Sequence, residues 1–191
     1  MIDEVDLRRF ELLALPHLDA AYNLARWLTR NDQDAQDVVQ GALLRAMRYF
    51  YSFRGDNARP WLLQIVRHTC FSWLRENRPA ELMALEEGSE VDHEFAAPES
   101  DAPEGVAIRN ADRSRINLAL AALPIIYRDV LILREMEDLS YKEIARIADV
   151  LIGTVMSRVA RARDLMRRAL APAAPPVLSS VGQSASSGVE Q

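Results

Sequence analysis

Apolar residues recur three and four positions apart over residues 5–78 and again over residues 109–170, which is the period of an amphipathic α-helix. Neither stretch alternates apolar and polar residues as a half-buried strand does. Asn31-Asp32 and the turn-forming segment Ser52 to Asn57 interrupt the first stretch, and a further helix is predicted from about Ala58 to Asn77. The pattern therefore predicts an all-α fold of two small helical domains.

The segment between the two stretches is acidic and has no helical period. Residues 80–108 hold nine Asp or Glu and no Lys or Arg, whereas the whole chain has a net charge of −5. Without those nine acids the remainder carries a net charge of +4. Residues 172–191 are rich in proline and serine. We therefore predict a first domain at 1–79, a flexible acidic linker at 80–108, a second domain at 109–171 and a disordered tail at 172–191.

Several protein classes are excluded by simple counts. The longest apolar runs fall far short of the ~20 residues that a membrane span needs. Acids occupy the N-terminus where a signal peptide carries positive charge, and a single cysteine, Cys70, forms neither a disulfide nor a zinc site. The histidines have no metal-ligand spacing, and there is no glycine-rich phosphate loop. We expect a cytoplasmic protein that is not an enzyme and has no metal or cofactor.

The most informative stretch runs from Leu139 to Leu170. Ser140 and Glu143 have the spacing of a capping box, which marks the start of a helix. A turn is expected at Asp149 to Leu151, followed by a longer helix from about Ile152 to Leu170. Two helices joined by a tight turn, the second rich in arginine, are typical of a helix-turn-helix.

One side of that second helix carries hydroxyl and guanidinium groups. At 100° per residue, Thr154, Ser157, Arg158, Arg161 and Arg168 fall opposite the apolar positions. Such a face suits base edges and phosphates in a DNA major groove. The alternative is an ordinary solvent-exposed helix of a bundle, since every exposed helix carries charges.

The helix predicted at 58–77 has a similar polar side. Arg67, His68, Phe71 and Arg75 fall opposite its apolar face. Arginines that hold a backbone beside an aromatic ring that stacks bases are typical of a single-strand site. The alternative is that Phe71 packs under a loop.

These motifs together resemble bacterial RNA polymerase sigma factors of the extracytoplasmic-function (ECF) type, over about residues 7–79 and 109–170. The segment Asp34 to Ala46 resembles the polymerase-docking helix of that family, and Arg59 to Arg75 resembles its −10 recognition helix. Leu123-Pro124 and the long match from Leu139 to Arg163 resemble its −35 reader.

The resemblance implies a set of functional residues and partners. Asp37 and Gln40 would face core RNA polymerase. The residues implied for the −10 element are Asp56, Asn57, Arg67, His68, Phe71 and Arg75. The residues implied for the −35 element are Thr154, Met156, Ser157, Arg158, Ala160 and Arg161. Core polymerase, promoter DNA and an anti-sigma protein are the implied partners.

Two other functions are compatible with the same residues. A sigma-like mimic would bind an anti-sigma protein without supporting transcription, and altered docking positions such as Gln36 and Gly41 favour it slightly. An autonomous helix-turn-helix regulator would bind duplex DNA without polymerase. Leu151 stands where the family has a proline, so a looser start of the second helix is expected.

Overall fold

The structure, a computed structural model, describes residues 4–55, 57–80, 82 and 106–171, with side chains from residue 114 onward in the last range. The first unit contains helices α1 (Glu4–Ala14), α2 (Leu18–Thr29), α3 (Asp32–Tyr49) and α4 (Ala58–Asn77), with short 3₁₀ turns at Leu15–His17 and Phe50–Ser52. The second unit contains α5 (Val106–Ala122), α6 (Ile125–Glu135), α7 (Tyr141–Ala148) and α8 (Ile152–Leu170).

The prediction of an all-α fold with two small helical domains is confirmed, and these parts of the chain contain no strand. Most of the predicted linker at 80–108, and the predicted tail at 172–191, lie outside the described residues. The domain boundaries at 79 and 109 stay predictions.

The first unit, residues 4–80, is a bundle with a core of leucine, alanine and aromatic side chains. α2, α3 and α4 pack on one another, and Leu24, Leu28 and Leu62 are completely buried between them. At one end, the Phe50 ring meets Phe10 edge-on at 5.3 Å and lies 5.9 Å from the Trp61 ring, measured between ring centroids. Aromatic contacts of this kind fix the entry into α4.

Asparagine side chains cap two helices of this unit. The side-chain oxygen of Asn31 accepts hydrogen bonds from the backbone N–H groups of Gln33 and Asp34 at 2.8 and 3.0 Å. The side chain of Asn57 accepts from the N–H of Arg59 at 3.2 Å. Both caps satisfy N–H groups that the helix itself leaves unpaired.

The second unit, residues 106–171, has the helix-turn-helix predicted from the sequence. Ser140 Oγ accepts from the Glu143 N–H at 3.3 Å, and Glu143 Oε2 accepts from the Ser140 N–H at 2.9 Å, so both halves of the capping box form. α7 ends at Ala148, and the next residue, Asp149, caps it in the left-handed conformation with φ of 55°. α8 then packs on α6 and α7 through the buried residues Val155 and Val159.

The two units are in contact, although the sequence pattern suggested separate domains on a tether. α2 packs against α6, and α4 packs against α7. Buried apolar side chains of both units belong to one continuous cluster. The second unit therefore covers part of the surface that α4 would otherwise expose.

Candidate nucleic-acid interfaces

The first half of α8 presents polar and small side chains to solvent. Met156, Ser157 and Ala160 are exposed, whereas Thr154, Arg158 and Arg161 are half-buried. All six residues predicted to contact the −35 element are therefore accessible, at least in part. Ser157 Oγ donates a hydrogen bond to the Thr154 carbonyl at 3.0 Å, which orients the hydroxyl along the helix.

The N-terminus of α8 is open. Leu151 occupies the N-cap with extended backbone angles, makes no side-chain cap and is 80% exposed. A Cβ added at Gly153 would meet nothing within 4 Å. The backbone N–H groups of the first turn can therefore approach a phosphate, which the positive end of the helix dipole favours. The expectation of a looser start at Leu151 stays a prediction.

Most arginines of α8 form ion pairs with neighbouring acids. Asp164 lies 3.0 Å from the Arg167 guanidinium and 2.9 Å from that of Arg168, with Arg161 at 3.9 Å. Arg163 pairs with Glu135 of α6 at 2.6 Å. Exposed pairs of this kind contribute little stability, typically under ~1 kcal/mol, so the arginines can exchange an acid for a phosphate.

On α4, the predicted −10 residues fall into two groups. His68 and Arg75 are exposed, and Phe71 is half-buried. Asn57 is exposed as well, although its side-chain oxygen is engaged in capping α4. Asp56 lies outside the described residues.

Arg67 does not lie on the exposed face where the helical period placed it. Its side chain is 9% exposed, and its Nε donates to Asp129 Oδ2 of α6 at 2.7 Å. The guanidinium also lies over the Phe71 ring, 4.3 Å from the ring centroid. The expectation of a solvent-facing Arg67 is wrong for this structure, because the second unit packs on α4 and supplies a carboxylate.

Asp129 is a buried acid that sequence reasoning missed. It is completely buried, and burial raises the pKa of its carboxyl above the usual range. The nearby charges of Arg67, Arg158 and His68 act in the opposite direction on that pKa. No local sequence signal identifies Asp129, because its partner Arg67 is 62 residues away in the chain.

The polar side of α3 contains the two predicted polymerase-facing residues. Asp37 and Gln40 are both exposed, and Gln33 Nε2 donates to Asp37 Oδ1 at 3.5 Å. Leu44, one helical turn after Gln40, is 65% exposed and adds an apolar side chain to this side. The spacing of 37, 40 and 44 places the three residues on one side of α3, and their role at a polymerase surface stays a prediction.

No helix among the described residues is long and apolar enough to cross a membrane. No group of three or more His, Cys, Asp or Glu side chains among them could hold a metal ion.

Two sequence families match the chain, one in each unit. Residues 13–79 match Sigma-70 region 2, and residues 113–166 match Sigma-70, region 4. The RNA polymerase sigma-H factor of Pseudomonas aeruginosa is 34% identical over 171 residues, which cover 87% of this chain and 89% of the relative. The ECF RNA polymerase sigma-E factor of Haemophilus influenzae is 31% identical and covers 90% of this chain and 92% of its own length.

Solved structures resemble the whole arrangement. The sigma factor RpoE of Bartonella quintana, in complex with the anti-sigma factor NepR, has a TM-score of 0.63 and 27% identity, covering 86% of this chain and 96% of that one. CnrH in complex with the cytosolic domain of CnrY has a TM-score of 0.60 at 23% identity, a likeness of fold, and covers 85% of this chain and 87% of that one.

Proposed function

Because the chain belongs to the sigma-70 family of RNA polymerase sigma factors, in its ECF group, we propose that its two units divide promoter recognition between them. As a sigma factor it is a transcription initiation factor that binds core RNA polymerase and promoter DNA. The second unit reads the −35 element as duplex, and the first unit holds the −10 element as single strand. Polymerase carries out the chemistry, and the sigma factor supplies no catalytic step.

The observation that carries the proposal is the open face of α8. It follows a capped helix and a tight turn, as in a helix-turn-helix whose second helix enters the major groove. Arg158 and Arg161 supply guanidinium groups for guanine edges or phosphates, and Ser157 supplies a hydroxyl. Met156 and Ala160 supply apolar contact to thymine methyl groups. The uncapped first turn supports a phosphate contact that sets the register.

For the −10 element, α4 supplies basic side chains and one aromatic ring. His68 and Arg75 are exposed, and Arg67 and Phe71 join them once the second unit moves away. Stacking of a base on an aromatic ring contributes ~1–3 kcal/mol, while arginines hold the backbone. We therefore assign Phe71 to stack on a base of the melted strand and Arg67, beside it, to hold the backbone of that strand. Asp56 and Asn57, at the start of α4, are assigned to the same strand.

The partner surfaces follow from the same family. Asp37, Gln40 and Leu44 form the surface that we assign to docking on core polymerase. Because the Bartonella quintana relative was solved in complex with an anti-sigma factor, we propose an anti-sigma partner here too. Polymerase and promoters share the cytoplasm, so the proposal places the protein there.

Selection of promoters by the reconstituted holoenzyme tests these roles. Core polymerase with the wild-type chain should enrich, from a randomised template library, two sequence blocks separated by a fixed spacing. Arg161→Ala should lower discrimination at one position of the upstream block by ~5- to 150-fold, the equivalent of ~1–3 kcal/mol for one base contact. The −10 block should be unchanged.

Arg163→Ala is the matched control on the same helix. Its guanidinium pairs with Glu135, so its loss should leave the sequence preference of both blocks unchanged. Equal effects of Arg161→Ala on all sequences would make Arg161 a phosphate contact and overturn its role. Absence of any transcript from a chain that still binds an anti-sigma protein would favour the mimic. Sequence-specific duplex binding without polymerase would favour the autonomous regulator.

A further inference from the structure

We infer that Asp164 of α8 is a positioning residue that sets the specificity of −35 recognition. Its carboxylate orients Arg161 toward a base edge and keeps Arg167 and Arg168 away from phosphates. This role rests on the proposed function of α8 at the −35 element. It explains an acid in the middle of a basic helix, where the proposed contacts with DNA require none.

Asp164 lies on the polar side of α8 that faces DNA in the proposed function. Spacings of three and four residues align five side chains along that side, namely Thr154, Ser157, Arg161, Asp164 and Arg168. Within α8, which the structure describes completely, Asp164 is the only acid beside five arginines. Because a recognition helix contacts base edges with its N-terminal residues, Asp164 stands at the end of the part that reads DNA.

The three arginines that reach Asp164 do so at two different distances. Nη1 of Arg167 lies 3.0 Å from Oδ1, and Nη2 of Arg168 lies 2.9 Å from Oδ2, both within hydrogen-bond range. Nη1 of Arg161 lies 3.9 Å from Oδ2, which is an ion-pair distance but too long for a hydrogen bond. The carboxylate therefore binds Arg167 and Arg168 directly, whereas it attracts Arg161 without using its N–H groups.

The longer contact prepares Arg161 for a base. An arginine side chain loses rotamer entropy when it is fixed at a binding site. Attraction by a carboxylate one helical turn away restricts the side chain before DNA arrives, so less entropy is lost on binding. The N–H donors that Asp164 leaves unused can still make the bidentate contact with guanine that a guanidinium group favours.

The two shorter contacts limit binding to phosphates. The side chains of Arg167 and Arg168 are 74% and 58% exposed, so both can reach a DNA backbone. Phosphate contacts strengthen binding to every sequence alike and carry no base information. Asp164 competes with the phosphates for these two arginines and repels the backbone by its own charge. It therefore raises the ratio of specific to non-specific binding.

A second acid that contacts α8 provides the comparison. Glu135 of α6 accepts hydrogen bonds from Nε and Nη2 of Arg163 at 3.0 and 2.6 Å. At 100° per residue, Arg163 lies on the side of α8 opposite Arg161. Removal of either acid adds one positive charge to the second unit, but only Asp164 contacts the arginine that we assign to a base.

Transcription by the reconstituted holoenzyme from templates with a randomised upstream block tests this role. Asp164→Asn keeps the size of the side chain and removes its charge. It should lower discrimination at the position read by Arg161 by ~5-fold, because the guanidinium is no longer oriented. Transcription from templates with a scrambled upstream block should rise by ~3-fold at low salt, and this gain should shrink as salt screens the phosphate contacts.

Glu135→Gln is the matched control and should leave both quantities at the wild-type value. Asp164→Glu keeps the charge and should retain most of the wild-type discrimination. All three variants should fold, because the ion pairs of both acids lie at the surface. In an Arg161→Ala background, Asp164→Asn should cause no further loss at that position, since the acid acts there through Arg161.

The outcomes separate this role from the proposed function. Equal discrimination by the wild type, Asp164→Asn and Glu135→Gln would overturn the role of Asp164. A loss spread evenly over the upstream block, or a further loss in the Arg161→Ala background, would also overturn it, because orientation of one arginine produces neither. A wild-type holoenzyme with no base preference in the upstream block would overturn the proposed function instead.

Discussion

Ser140 and Glu143 fix the first turn of α7 and thereby the position of α8 behind it. Ser140 Oγ also donates to Glu143 Oε2 at 2.6 Å, so one carboxylate oxygen accepts two hydrogen bonds from the same residue. These bonds lower the pKa of Glu143, to which the charges of Arg59 and Arg146 also contribute. The ionised carboxylate is therefore the form that holds the cap.

Removal of the N-cap should destabilise the second unit. Ser140→Ala is expected to lower the free energy of unfolding by about 1 kcal/mol, because the Glu143 N–H loses its acceptor and Glu143 Oε2 loses the hydroxyl donor. Ser157→Ala is the control, since Ser157 is exposed and bonds only to the preceding turn of its own helix. Denaturant unfolding followed by circular dichroism measures both variants. Equal stability of the two variants would contradict the role of the cap.

The lowered pKa of Glu143 predicts a pH dependence. A depressed folded-state pKa contributes stability that is present above the unfolded value and is lost as pH falls through the folded value. The stability difference between wild type and Glu143→Gln should therefore be constant above about pH 5. Below that pH the wild type should lose stability relative to Glu143→Gln, so the difference in the free energy of unfolding should shrink. Denaturant titrations at several pH values give this difference, and a difference independent of pH would be the contrary result.

The contact between Arg67 and Asp129 cannot be predicted from the sequence around either residue. Helical periodicity places Arg67 beside Phe71 correctly, because the guanidinium lies over the Phe71 ring. It cannot show that another unit covers Arg67 and leaves His68 exposed. The burial of Arg67 depends on a contact between residues far apart in the chain, and periodicity describes only neighbours.

At the scale of the element, the sequence determines the helices closely. α4 at Ala58–Asn77 and α8 at Ile152–Leu170 have the predicted bounds, because Asn57 caps the first and the turn after Asp149 begins the second. The caps and turns are local chemistry, so a single sequence contains them. The packing of one helix on another is not local, so no single stretch of sequence predicts the contact of α4 with α7.

Gly41 offers a test of packing between α3 and α4. It lies in the interior of α3, where glycine costs ~1 kcal/mol relative to alanine. A Cβ at this position would meet Thr69 Cγ2 at 4.0 Å, an ordinary van der Waals contact. Gly41→Ala should therefore raise the free energy of unfolding by ~0.5–1 kcal/mol.

Gly55→Ala is the matched comparison. A Cβ there would lie 3.2 Å from the Phe53 ring, so the neighbouring ring would have to shift. We expect no gain in stability from this variant, measured by the same chemical denaturation. A loss of stability in Gly41→Ala would show that α3 and α4 pack more closely than the structure has them.

At the scale of the whole molecule, net charge describes this protein poorly. A chain with a net charge of −5 contains two units whose arginines cover the proposed DNA surfaces. The acidic residues that dominate the total lie between the units in the sequence. Within the folded parts, Asp129 and Glu137 neutralise arginines across the boundary, so the free chain exposes less positive charge to DNA than the separated units would.

The most direct test of the account is the distance between the two units in the free chain and on a promoter. Spin labels attached after Glu11→Cys and Lys142→Cys, both exposed sites, report that distance by pulsed electron paramagnetic resonance. The account predicts a short distance in the free chain. When core polymerase and promoter DNA are added, the distance should increase toward ~85 Å, because the −10 and −35 elements lie about 25 base pairs apart at ~3.4 Å per base pair. An unchanged short distance in a complex that transcribes, or a long distance in the free chain, would contradict it.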